Sequence, residues 1–66
     1  MKKLGSEIQE NDWVWHPGLV RWVRLGPARY RLATFTNFLN YDPDLELMMI
    51  SHDFEYSVDH PDTDHA

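Results

Sequence analysis

Three runs of β-branched and aromatic residues follow one another in this chain, and the breaks between them are proline–glycine pairs. Asp12-Trp13-Val14-Trp15-His16 ends at Pro17-Gly18, and Leu19-Val20-Arg21-Trp22-Val23-Arg24-Leu25 ends at Gly26-Pro27. Arg29-Tyr30-Arg31-Leu32-Ala33-Thr34-Phe35 follows. Val, Trp, Tyr and Phe fit the pleated, half-buried surface of a sheet. Proline removes a ladder donor and glycine frees the backbone, so both pairs read as turns. Runs this short, punctuated this often, predict strands.

With 66 residues there is room for one domain. A domain of this size buries only about 60% of the surface its unfolded chain exposes, so its stability is marginal. There is no cysteine, which excludes disulfides and thiolate zinc sites and fits a reducing compartment. Packing must therefore supply the stability. Three Trp, three Tyr and three Phe, each able to bury about 150–250 Å², are enough to keep a chain of net charge −5 from being disordered. No apolar run approaches the roughly 20 residues of a membrane helix, so no membrane partner is expected. Residues 1–7 hold a basic pair with no apolar stretch behind it. No signal peptide is read there, and the expected location is cytoplasmic.

Residues 1–9 lack periodicity and are expected to be a flexible lead-in to a domain over 10–58. The second and third runs are expected to form a hairpin around Gly26-Pro27. Val23, Leu25, Tyr30 and Leu32 would then share the apolar face, with Trp22, Arg24, Arg29 and Arg31 on the other. Residues 36–44 read as a loop. Residues 45–51 read as a strand, because Leu45-Glu46-Leu47-Met48-Met49-Ile50 has no clean helical stripe. The alternative is a short helix at 43–51, started by Asp42 and Pro43, which would make the fold α+β. His52-Asp53-Phe54 makes one turn and Glu55-Tyr56-Ser57-Val58 a last strand. Residues 59–66 are polar and acidic and are expected to be a disordered tail. The fold class is all-β: five short antiparallel strands in a small barrel or strongly bent sheet.

Asn11-Asp12-Trp13-Val14-Trp15-His16-Pro17-Gly18 resembles the opening of SH3-like barrels of the KOW and Tudor kind. Met49-Ile50-Ser51-His52-Asp53-Phe54-Glu55-Tyr56 is similar to their close. Asn11 stands where glycine is usual, and Leu19-Val20-Arg21-Trp22 replaces a Gly-x-Gly-x-Val step. The resemblance implies a five-stranded SH3-like barrel over 10–58. Its Tudor-like option is an aromatic cage for a methylated side chain, drawn from Trp13, Trp15, Tyr30 and Tyr41 with Asp42 as the acid.

The candidate binding residues are Trp13, Trp15, Trp22, Arg24, Arg29 and Arg31. Trp13 and Trp15 alternate with Val14, so either the Trp pair or Val14 is the core side; an outward pair would mark a binding surface. Three arginines around Trp22 suit an acidic partner, or single-stranded nucleic acid if more aromatics join. The bland alternative is a solvated face, neutralised by the chain's own late acids. All six basic residues lie at or before Arg31, and eight of eleven acids at or after Asp42. Asp42, Asp44 and Glu46 read as a solvated loop, not a calcium site, and His16 and His52 as structural. His60 and His65, with the tail acids, read as incidental. No metal and no cofactor is expected. The chain carries no glycine-rich phosphate loop, cysteine nucleophile or strand-elbow serine, so no enzyme is expected.

These features point to a protein-interaction module, a small regulator or inhibitor of a larger protein, built like many phage and mobile-element proteins. The alternatives are a nucleic-acid-associated module using the Trp/Arg face, which the acidic total opposes, and a homodimer or larger oligomer that buries its own Trp residues.

Overall fold

The computed structural model describes residues 1–59. The fold is all-β. Six antiparallel strands, β1 (Lys2–Leu4), β2 (Trp13–His16), β3 (Arg21–Arg31), β4 (Phe35–Asn40), β5 (Leu47–Ser51) and β6 (Glu55–Asp59), form one sheet in the order β1-β6-β2-β3-β4-β5. The sheet does not close, so the expected five-stranded barrel is instead a six-stranded open sheet. A 3₁₀ turn, Gly5–Glu7, packs beside the end of β5. There the Gly5 N–H donates to Phe54 O at 2.8 Å and the Ser6 N–H to His52 O at 3.2 Å.

One unexpected strand comes from the segment expected to be a flexible lead-in. β1 pairs with β6, Lys3 opposite Tyr56, and Ile8 enters the core. These residues lack a periodic pattern because the strand is only three residues long, and their anchorage is to a partner some fifty positions away.

β2 and β3 form a hairpin with Trp15 opposite Trp22 and His16 opposite Arg21. Its loop is residues 17–20, so the second strand starts at Arg21 and not at Leu19. The Val20 N–H donates to His16 O at 2.8 Å, and the Leu19 N–H to His16 Nδ1 at 3.1 Å. Val20 closes the loop at φ 54°, a left-handed backbone that β-branched residues rarely adopt.

Gly26-Pro27 does not turn the chain back. β3 runs straight through it, and the hairpin expected there is replaced by one bent strand that pairs first with β2 and then with β4. The pairing with β4 shifts register between Leu25 and Ala28, and again between Ala28 and Tyr30. Each shift inserts one extra residue on β3, a bulge that bends the strand. A bulge is also where a strand tolerates proline. The two bulges cancel in parity, so Tyr30, five residues beyond inward Leu25 in the same strand and paired with Asn37, lies on the outer side; only a hairpin at Gly26-Pro27 would have returned it to the side of Leu25. Tyr30 and Leu32, expected in the core with Val23 and Leu25, are 57% and 56% exposed.

β4 occupies what reads as a loop. Its inward positions are Thr36, Phe38 and Asn40, so two of the three are polar and the apolar alternation is hidden. Thr36 Oγ1 pairs with His52 Nε2 at 2.9 Å and Asn40 Oδ1 with the Asp42 N–H at 2.7 Å, while Asn40 Nδ2 is buried with no partner among the described residues. The strand reading of residues 45–51 holds over Leu47–Ser51. The helical start at Asp42 makes one turn only, in which the Leu45 N–H donates to Asp42 O at 3.1 Å. β6 extends the last expected strand through Asp59, so the tail begins no earlier than residue 60; residues 60–66 lie outside the described residues.

The core is Ile8, Val14, Val23, Leu25, Phe38, Met48, Ile50 and Val58. None of the three tryptophans belongs to it. Buried Asp12 is satisfied by the Gln9 N–H at 3.0 Å and by Lys3 Nζ at 3.3 Å.

Candidate protein-interaction surface

Val14 is fully buried, which settles the alternation of β2: Trp13 and Trp15 face outward. Val23, opposite Val14, is buried too, so Trp22 and Arg24 share that outer side. The pleat thus gathers three tryptophans on two adjacent strands. Trp15 and Trp22 meet edge to face at 5.6 Å between centroids and 72° between planes, a favoured geometry for aromatic pairs. Trp13 lies opposite Arg24 on one side and Asp59 on the other. All three indoles are half-buried.

Two features extend this face. Beside Trp15 a shallow cleft of about 270 Å³ is lined by Lys2, Trp15, Pro17, Phe54, Glu55, Tyr56 and Ser57. Phe54 is 62% exposed and packs on Tyr56 at 4.9 Å. At the other end Arg24 Nη2 donates to Asn11 Oδ1 at 3.1 Å, and the guanidinium carbon lies 5.8 Å from the Tyr41 ring centroid, within cation–π range. Tyr41 lies against Gly26, where a Cβ would come within 3.1 Å of its ring. The same Cβ would lie 3.1 Å from Leu39 O, so a larger residue fits only if these neighbours give by a few tenths of an ångström.

Of the six residues expected to bind, Trp13, Trp15, Trp22 and Arg24 come together. Arg29 and Arg31 do not join them. Arg29 lies five residues beyond Arg24, about 16 Å along an extended strand, past the bend at Gly26-Pro27. Arg31 is opposite Thr36 and lines a separate cleft of about 440 Å³ with Ser6, Ile8, Gln9 and Glu10. Arg31, opposite buried Thr36, lies on the other side of the sheet from Arg24, so the arginines do not share one face.

The cation that the late acids neutralise is Arg21. Its Nε donates to Asp42 Oδ2 at 2.7 Å, and its Nη2 to Asp42 Oδ1 at 2.5 Å and Asp44 Oδ2 at 2.6 Å. The guanidinium, with help from the Asp44 N–H, holds the Asp42 carboxyl below the usual aspartate range, and the two acids raise Arg21 in turn. This clamp ties the β2–β3 hairpin to the β4–β5 loop. It also engages Asp42, the acid that an aromatic cage would need.

Phe54, Lys2 and Pro17 were not among the sequence candidates. Their convergence on Trp15 depends on the β1–β6 pairing, which no local pattern announces.

Among the described residues no three His, Asp or Glu side chains are placed to hold a metal ion. No described helix is long and apolar enough to cross a membrane. No family model, curated protein or solved structure matches the chain.

Proposed function

We propose that this chain is a small protein-interaction module that docks on a larger protein through the outer face of β2, β3 and β6. Trp13, Trp15 and Trp22 are the anchors, Phe54 widens the apolar area, and Arg24 sits at the rim. One observation carries the reading: the core is completed without any tryptophan. A small domain has little interior to spare, and its three largest side chains lie half-buried on the outer face of the sheet. Tryptophan is the residue most enriched where partners bind most strongly, in patches ringed by polar groups. Binding a cytoplasmic target this way suits a regulator or inhibitor that covers part of the target's surface, with no chemistry of its own.

Nucleic-acid binding is the weaker reading, because Arg29 and Arg31 stand apart from Trp22 and Arg24 and the net charge is −5.

The test is affinity capture with the wild-type chain and with Trp15→Ala/Trp22→Ala, each first verified as folded by circular dichroism. The reading expects one protein retained by the wild type and lost by the variant, and rebuilt as a complex from purified components. Equal retention by both chains would overturn it. Retention that disappears on nuclease treatment and falls steeply with salt would favour the nucleic-acid reading.

A further inference from the structure

The two edges of the sheet are unlike. β1 is three residues long and carries Lys2 and Lys3, the usual protection of a strand edge. β5 is Leu-Met-Met-Ile-Ser, with no charge, no proline and an unbroken register against β4. An unprotected, regular apolar edge is a template for another strand.

The polarity of that edge follows from the ladder. The Asn40 N–H donates to Glu46 O and the His52 N–H to Thr34 O. In an antiparallel pair alternate residues turn toward the partner. Glu46, Met48, Ile50 and His52 therefore address β4, while Leu47, Met49 and Ser51 turn their N–H and C=O groups away. At Ser51 the site is taken: its N–H donates to Tyr56 Oη at 3.0 Å, and Gly5 packs on its carbonyl. Leu47 and Met49 remain, with no strand beside them among the described residues. Met49 is 56% exposed.

We infer that this edge pairs with the same edge of a second copy, joining two six-stranded sheets across a two-fold axis at Met48. The occupant follows from self-complementarity. With the axis at Met48, Leu47 of one copy faces Met49 of the other, and each such couple exchanges both its N–H···O bonds. The pairing ends before Ser51, where the 3₁₀ turn sits, and within it Glu46 faces Ile50, so no acid meets an acid from 46 to 50. Tyr30, Asn37 and Met49 form one cross-strand row on the outer side. Pairing lays the Leu39–Leu47 row of the other copy beside it, which buries the exposed Met49. This edge lies on a different part of the sheet from the tryptophan face, and the inference does not rest on the proposed function.

The test is sedimentation velocity on the full chain from about 10 µM to about 1 mM, where so small an interface dissociates. The wild type is expected to dimerise reversibly, with amide exchange at Leu47 and Met49 slowing as concentration rises. Met49→Pro removes an N–H that β4 does not use and should weaken dimerisation at least tenfold. Met49→Lys should do the same, and decides the matter if the proline variant fails to fold. Trp15→Ala/Trp22→Ala should dimerise like the wild type. A wild type that stays monomeric throughout would overturn the inference. So would a dimer that a folded Met49 variant leaves intact, or one lost only in the tryptophan variant.

Discussion

Replacing Gly5 by alanine is expected to be the most damaging single-methyl change in this chain. An ideal Cβ at Gly5 falls 1.8 Å from Ser51 O and 2.7 Å from Ser51 C. Both are backbone atoms of β5, so no side-chain rotation relieves the clash. The 3₁₀ turn must lift away from the sheet. That breaks the bonds from the Gly5 N–H to Phe54 O and from the Ser6 N–H to His52 O, each worth about 1 kcal/mol net. It also loosens Ile8, which is 6% exposed; complete exposure of such a side chain costs about 1.5–3 kcal/mol. Alanine returns about 0.4–1 kcal/mol by restricting the unfolded chain. The net loss is about 3 kcal/mol, against the total of about 3–10 kcal/mol that a 66-residue domain carries. At about 4–8 °C per kcal/mol for a domain of this size, Tm should fall by roughly 12–24 °C. Thermal unfolding by circular dichroism, checked by urea, measures it. Gly18→Ala is the control: its Cβ meets only the His16 ring, at 2.9 Å, and it should cost less than about 1 kcal/mol. A Gly5→Ala chain within about 0.5 kcal/mol of wild type would refute the claim that the 3₁₀ turn seals the end of β5.

Val20→Gly should raise stability by about 1 kcal/mol in urea unfolding, because it relieves a β-branched residue at φ 54°. Asp12→Ala should cost about 1–3 kcal/mol by the same assay, since it leaves the part-buried Lys3 ammonium and the Gln9 N–H without their acceptor. The Asp42 carboxyl is held below its ordinary range by Arg21. Its contribution to stability is therefore complete above the unfolded aspartate pKa of about 3.9 and is lost as pH falls through the folded value. Urea midpoints at neutral and acid pH should show a smaller acid loss in Arg21→Ala than in wild type.

What the sequence disclosed, and what it hid, divides at Gly26. Between Asp12 and Leu25 local signals place the strands, although β1 escapes them and the side of β2 that enters the core stays open until Val14 is seen to be buried. β2 and the first half of β3 are Val- and Trp-rich runs around a Pro-Gly loop, and the alternation around Val14 and Val23 places every neighbouring side chain. β5 and β6 are legible for the same reason. After Gly26 the chain continues in the same strand instead of turning back, so Tyr30 falls on the face opposite to Leu25, and two one-residue bulges that no local pattern announces set the pairing with β4. Tyr30 and Leu32 are apolar, yet the backbone turns them to solvent; Thr36 and Asn40 are polar, yet it turns them inward. The partner of Thr36, His52, is sixteen residues away and absent from any short window, whereas that of Asn40, the Asp42 N–H, is local. The candidate site divides in the same place. Trp13, Trp15, Trp22 and Arg24 precede the bend and converge, whereas Arg29 and Arg31 follow it and do not.

The same bend gives the two proposed surfaces a relationship. The tryptophan face is built where β3 pairs with β2, and the free edge belongs to the part of the sheet where β3 has passed to β4. Pairing at Met48 leaves Trp13, Trp15 and Trp22 clear of the dimer contact, so the dimer displays two tryptophan faces. Two linked sites convert the second binding event into an intramolecular one, and avidity then exceeds single-site affinity by about 10²–10⁴. The gain appears only where the target itself is presented in more than one copy. With a target captured by the tryptophan face, wild type should dissociate more slowly from a densely coated surface than from a sparse one. Met49→Pro should dissociate at one rate from both, equal to that of wild type on the sparse surface. A Met49→Pro chain that also loses affinity for single, soluble target molecules would place the edge inside the target-binding surface itself, and the separation argued from the bend at Gly26-Pro27 would be wrong.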